Sequence, residues 1–329
     1  MTKASFIIFT LFTLASISLQ DNLQLGLTDH FKKWLKDNKL DTDFDFNRGE
    51  LAGGSYGGKQ SDTDVIKNIP LIFIHGNSDV AAGTNDTQIG FTQTIQYMLT
   101  NGYTQQELYA TTWGKGNLSW LEVEVHNQQK VMLVRKFIEA VLAYTGSSKV
   151  NLVAHSMGVT LARRAIKGGK FDDGAETYDI GVALTDKIDT FISMSGSNYG
   201  IPDCANQAHY KLYCSYYNGY WAGPPESVFL KALNDDTTRE AAHIFALSSL
   251  KDEFNFGTGD GSIDFGMKTG AFPTVDESHT FSTQQFSYLC MRDVTAPLIK
   301  HLIDSHTMKD FNFDSLFQQG IKCLWPSNY

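Results

Sequence analysis

The chain has 329 residues, of which 42% are hydrophobic and 19% charged, enough apolar content for a sizeable core and against global disorder. Its 27 Lys and Arg against 36 Asp and Glu leave a net charge of −9, so it carries no electrostatic footprint for nucleic acid. The length suits one large domain or two small ones.

At the N-terminus, Lys3 precedes the apolar run from Phe6 to Ala15. Small Ser16 and Ser18 follow at the spacing a signal peptidase needs, ahead of charged Asp21. Residues 1–18 read as a secretory signal peptide, which makes the mature protein secreted and extracellular. An uncleaved anchor would need about 20 apolar residues, and this run is shorter. No later segment is apolar enough to cross a bilayer.

Residues 19–68 read as an N-terminal extension to a domain spanning 69–329. Thr28 can cap a helix through Phe31, Trp34 and Leu35, and the glycines from Gly53 to Gly58 break regular structure. A phosphate-cradling loop would end in Gly-Lys-Ser/Thr after a strand. Gly58-Lys59-Gln60 does not, so a turn or linker is expected.

After Pro70 strands and helices alternate. Leu71-Ile72-Phe73-Ile74 is a continuous apolar run, the mark of a strand covered on both faces. Phe91 to Leu99 predicts a helix, Leu108 to Trp113 a strand, and Val131 to Tyr144 a helix stopped by Gly146. Val150 to Ala154 is another buried strand with a helix at once behind it. Ile188 to Met194 and His243 to Leu247 predict two more strands. The pattern implies an α/β fold with a mainly parallel, doubly wound sheet and helices on both faces. Residues 197–235, rich in Tyr, Asn, Gly and Pro, form an insertion that is either a substrate cover or an ordinary surface loop.

Between the strand at 150–154 and the next helix stands Ala154-His155-Ser156-Met157-Gly158. That is the setting of a nucleophile elbow, in which a sharp strand-to-helix turn pushes a serine hydroxyl out at the top of the sheet. Small residues at 154 and 158 let strand and helix backbones approach. Ala154 stands where Gly is usual, a departure of one methyl. A serine hydroxyl needs a base, and in this fold the order along the chain is Ser, acid, His. Asp252, just past the strand ending at Leu247, is the expected acid, with Asp260 and Asp264 as rivals. Of the histidines beyond it, His301 sits in a helix interior and His306 near a helix end. His279 follows the apolar piece Ala271 to Val275 and precedes a helix through Phe286, in a loop at the C-terminal edge of the sheet, so it is the expected base. Two backbone N–H groups must meet the oxyanion. Met157 supplies one at the helix start, and Asn77, in His75-Gly76-Asn77-Ser78-Asp79, supplies the other. His75 and His155 are expected to pack rather than catalyse.

Four cysteines in an oxidising compartment predict two disulfides. Of three pairings, Cys204–Cys214, closing a short loop, and Cys290–Cys323, tying the C-terminal tail to a helix, are the expected ones. The sequons at Asn85 and Asn117 are candidate glycan sites. Segment 257–264 contains Asp and Gly but no EF-hand pattern, and calcium is not expected there.

Together, Pro70 to Asp79, Glu107 to Gly114, Val153 to Thr160 and the regions of Asp252 and His279 resemble the class 2 lipase family, in its secreted eukaryotic branch. The resemblance runs roughly over residues 50–300. It implies the α/β-hydrolase fold and a Ser-His-Asp esterase acting on acylglycerols at a lipid–water interface, with no metal or organic cofactor. In that reading Ser156, Asp252 and His279 take the catalytic positions and Asn77 and Met157 the oxyanion hole. The same site would serve an acyltransferase or thioesterase. An inactive lipid-binding protein on the same scaffold is the alternative from another class.

Overall fold

The computed structural model describes residues 23–83, 88–205, 211–255, 263–318, 321 and 323. The signal-peptide segment, the Asn85 sequon, Asp260 and the glycine-rich stretch 257–261 lie outside them.

In chain order the strands are β1 (Gly26–Leu27), β2 (Ser55–Gly57), β3 (Leu71–Ile74), β4 (Leu108–Thr111), β5 (Val150–His155), β6 (Lys170–Asp172), β7 (Thr177–Asp179), β8 (Ile188–Met194), β9 (His243–Ser249) and β10 (Glu277–Phe281). The helices are α1 (Asp29–Asp37), α2 (Thr92–Thr100), α3 (Gln128–Thr145), α4 (Met157–Lys167), α5 (Val228–Asp235), α6 (Ile263–Gly270), α7 (Cys290–Val294) and α8 (Ala296–Ser305). Among the described residues the main sheet has eight strands in the order β1-β2-β4-β3-β5-β8-β9-β10. Every neighbour pair in it is parallel except β2 with β4. β6 and β7 form a separate antiparallel hairpin.

Alternate residues along the central strands enter different cores. Ile72, Ile74, Leu152, Ala154 and Ile244 pack with α1, α3, α4 and α5. Leu71, Phe73, Val153, Phe245 and Leu247 pack with α2, α7 and α8. Both faces are covered, which is why these strands read as unbroken apolar runs.

Three expectations are corrected here. The glycine stretch expected as a turn or linker contains β2, and the extension supplies β1 and α1 as well, all built onto the main sheet. Thr28 does cap α1, accepting from the N–H of Phe31 at 3.2 Å. The region of His279, expected as a loop, is the last strand, the polar segment Glu277–Phe281. β10 is an edge strand paired only with β9, so much of it faces solvent and no apolar run marks it. The helix expected through Phe286 is a single 3-10 turn, Gln284–Phe286.

Both expected disulfides are present, Cys204–Cys214 and Cys290–Cys323, with Cα separations of 5.2 and 4.8 Å. The 197–235 insertion packs back on α4 through buried Arg163. That guanidinium donates to Asn198 Oδ1 at 2.9 Å, Asn234 Oδ1 at 3.0 Å and Glu240 Oε1 at 2.8 Å. Among the described residues no helix is long and apolar enough to cross a membrane.

Candidate active site

Ser156 sits at the junction of β5 and α4 with φ 54° and ψ −126°. A non-glycine residue held there costs of order 1–3 kcal/mol, strain of the kind that clusters at functional sites. The Ser156 N–H donates to Met194 O at 2.9 Å, fixing the turn to β8. The turn also depends on two glycines. A Cβ on Gly158 would lie 2.4 Å from His75 O and 2.6 Å from Ile74 O, so only glycine lets α4 approach β3 this closely. A Cβ on Gly76 would lie 2.9 Å from His155 Nδ1 and 3.1 Å from Ser156 Cβ, so the loop after β3 also closes on the elbow only as glycine.

That loop carries Asn77, whose side chain donates to Leu121 O at 2.9 Å. The N–H groups of Asn77 and of Met157, the first residue of α4, have no intramolecular acceptor among the described residues. His75 is fully buried and stacked on Trp113 at 5.0 Å. Its Nε2 accepts from Trp113 N–H at 3.1 Å and its Nδ1 donates to Gly76 O at 2.7 Å, so its role is to hold the loop. Burial depresses its pKa to about 4. His155 donates from Nε2 to Tyr288 O at 3.1 Å, and burial holds its pKa well below the usual imidazole value.

Asp252 follows β9 in a turn in which its N–H donates to Ser249 O at 3.1 Å. Its carboxylate is buried and accepts from Phe254 N at 3.0 Å, Asn255 N at 2.9 Å and Asn255 Nδ2 at 2.8 Å. Burial pushes its pKa up to about 6, against the pull of these donors and of Ser195. Asp264 lies in the first turn of α6 and is exposed.

His279 is not brought to Ser156. It lies inside β10, opposite Leu247 of β9. Leu247 stands opposite Met194, and Met194 opposite His155. Three strand spacings therefore separate His279 from the elbow, about 14 Å, whereas a base must come within about 3 Å of the proton it takes. The His279 ring stacks on Phe313 at 4.1 Å and meets Phe281 at 4.6 Å. Among the described residues it makes no hydrogen bond to Ser156 or Asp252. The expectation rested on His279 lying in a loop; in strand β10 its backbone is fixed by β9.

The side chain that comes to the elbow is Tyr288, whose ring lies against His155, the residue next to Ser156. After β10 the chain returns across the end of the sheet, and Tyr288 lands with its ring 4.5 Å from His155 and 4.4 Å from Phe254. Its N–H donates to Glu253 at 3.2 Å. Burial raises the phenol pKa, and the charge of Asp252 adds to that. Buried Arg292, one turn on, pairs with Asp79 of the Asn77 loop. Tyr288, Arg292 and Asp79 were not singled out from the sequence, because only the fold brings 288–292 back to 75–79.

Residues 68–289 match the sequence profile of the family described as lipase (class 2). The chain belongs to that family. The sheet order and the elbow are those of the α/β-hydrolase fold. Among solved structures it is similar to Aspergillus fumigatus lipase B, at 12% identity and TM-score 0.52, covering 83% of this chain and 62% of that one. It is also similar to the propeptide form of Bacillus licheniformis lipase BlEst2, at 16% identity and TM-score 0.50, covering 77% and 54%. The chain thus spans less than two thirds of the first lipase and of the propeptide form of the second, and at these identities the likeness is one of fold. No curated protein matches it.

Proposed function

We propose that this chain is a secreted serine hydrolase of lipid carboxylic esters, with triacylglycerols as the first substrates to test. The observation that carries the reading is the strained Ser156 elbow with two unpaired N–H groups, those of Asn77 and Met157, on the adjoining backbone. In the proposed reaction Ser156 Oγ attacks the ester carbonyl, whose π pair moves to the oxygen and is met by those N–H groups. The Oγ proton passes to water, the oxyanion re-forms the carbonyl as the ester C–O bond breaks, the departing oxygen takes a proton from water and leaves as the alcohol, and a second water hydrolyses the acyl-enzyme to free acid and serine. Asp252 is the proposed acid of the site.

Exposed apolar side chains support a lipid substrate. Phe254, 43% exposed, packs beside Tyr288. Leu118, Trp120 and Val123 stand exposed in the loop that Asn77 grips at Leu121. The disulfides and the apolar N-terminus support secretion. One observation favours a second reading, lipid-ester binding with little turnover: the group facing Ser156 is a phenol.

The test is fatty-acid release from a long-chain triacylglycerol emulsion by the full secreted chain beside Ser156→Ala. Release that falls to background in the variant supports the hydrolase. Retention of the emulsified ester without release in either protein moves the assignment to binding.

A further inference from the structure

An imidazole is the ordinary partner of a serine nucleophile because its pKa lies near neutrality, so it takes the serine proton readily. Here a loop returns from the last strand to the elbow, and the side chain it sets against His155, beside Ser156, is Tyr288. A neutral phenol is a donor and a weak acceptor, and it becomes a base only as phenolate. Its surroundings hold it neutral: it is buried against His155 and Phe254, and the Asp252 charge opposes a second negative charge. Arg292 favours ionisation and Asp79 opposes it, and these two are already paired with each other. Meanwhile Asp252, lacking an imidazole N–H to accept, takes the amide of Asn255.

We infer that Tyr288 occupies the place of the general base and holds Ser156 as a neutral, weakly nucleophilic hydroxyl, so that proton transfer restrains ester hydrolysis in this chain. The inference rests on Ser156 being the nucleophile and names what limits it. As the Oγ–carbon bond forms, the Oγ proton passes to water in the natural chain. With histidine at 288 it would pass to the imidazole, whose other N–H would find the Asp252 carboxylate. The structure already holds the elbow, the oxyanion N–H groups and a buried carboxylate, so one substitution completes the triad.

The test compares the full chain with Tyr288→His, Tyr288→Phe and Tyr288→His/Asp252→Asn. The readouts are kcat/KM for p-nitrophenyl butyrate between pH 5 and 9 and the rate of fluorophosphonate labelling at Ser156. Tyr288→His should raise kcat/KM about 100-fold or more, the usual scale of general base catalysis. It should add an inflection near the imidazole range that the natural chain lacks, and Asp252→Asn should remove most of the gain. Asp252, Glu253, His155, Arg292 and Asp79 all face this residue and are present in both proteins, so the new inflection belongs to the histidine. Tyr288→Phe removes the phenol without supplying a base and should gain far less than Tyr288→His. A 100-fold loss in Tyr288→Phe would show that the phenol itself accepts the proton and would overturn the inference, even if Tyr288→His does not fold. An imidazole-range inflection in the natural chain that vanishes in His279→Ala would overturn it as well. Labelling of Ser156 in every variant without a rate gain in Tyr288→His sinks only the inference about Tyr288. No labelling in any variant sinks the nucleophile assignment beneath it.

Discussion

Arg292 and Asp79 form a buried ion pair that ties the segment carrying Tyr288 to the loop carrying Asn77. Arg292 O also accepts from Thr94 Oγ1 at 2.6 Å, and Asp79 Oδ1 accepts from Val80 N at 2.8 Å. Removing one partner leaves the other charge buried and uncompensated, which typically costs about 3–5 kcal/mol. Arg292→Met or Asp79→Asn should therefore destabilise the chain on that scale. Urea unfolding of both single variants and the double variant measures it, and the double should cost less than the two singles summed.

Gly158→Ala places a methyl against the backbone carbonyls of His75 and Ile74. Backbone cannot rotate away, so strand and helix must separate and the elbow must open. A loss of about 1–3 kcal/mol or more is expected, with a matching fall in fluorophosphonate labelling at Ser156. Wild-type labelling in a Gly158→Ala protein would mean the close approach is not needed.

Asp252 makes stability depend on pH in a definite direction. Its carboxyl pKa is raised from the ordinary 3.8 to about 6 in the folded chain, so ionisation is harder when folded than when unfolded. Its contribution is greatest below pH 4 and is lost as pH rises to 6, by an amount of order 3 kcal/mol. The unfolding free energy of Asp252→Asn relative to the natural chain should rise across that window and level off above it. A flat difference between pH 4 and 7 would contradict the raised pKa.

His279→Ala should leave kcat/KM within about threefold of the natural value, because the ring faces Phe313 and Phe281 rather than Ser156. Losing those ring contacts should cost about 1 kcal/mol in stability. Kinetics and thermal melts on one preparation check both. Collapse of activity with stability intact would return the base assignment to His279.

The elbow was legible in the sequence because everything it needs is local: an apolar strand, a five-residue turn and a helix. The central strands were legible because both faces are buried. What escaped was set by position in the sheet. β10 is an edge strand of mostly half-buried polar side chains, so the region of His279 read as a loop and His279 as a free catalytic group. β2 is three residues long, set among glycines. Tyr288 reaches Ser156 only because the chain doubles back across β9 and β8, a distance no spacing rule in the sequence encodes.

Intact-protein mass spectrometry after prolonged reaction with an alkyl fluorophosphonate decides whether Ser156 is the nucleophile of an ester hydrolase. One covalent adduct is expected, mapped to Ser156 and absent from Ser156→Ala. An adduct that forms equally in Ser156→Ala, or none in the natural chain and none in Tyr288→His, would contradict it.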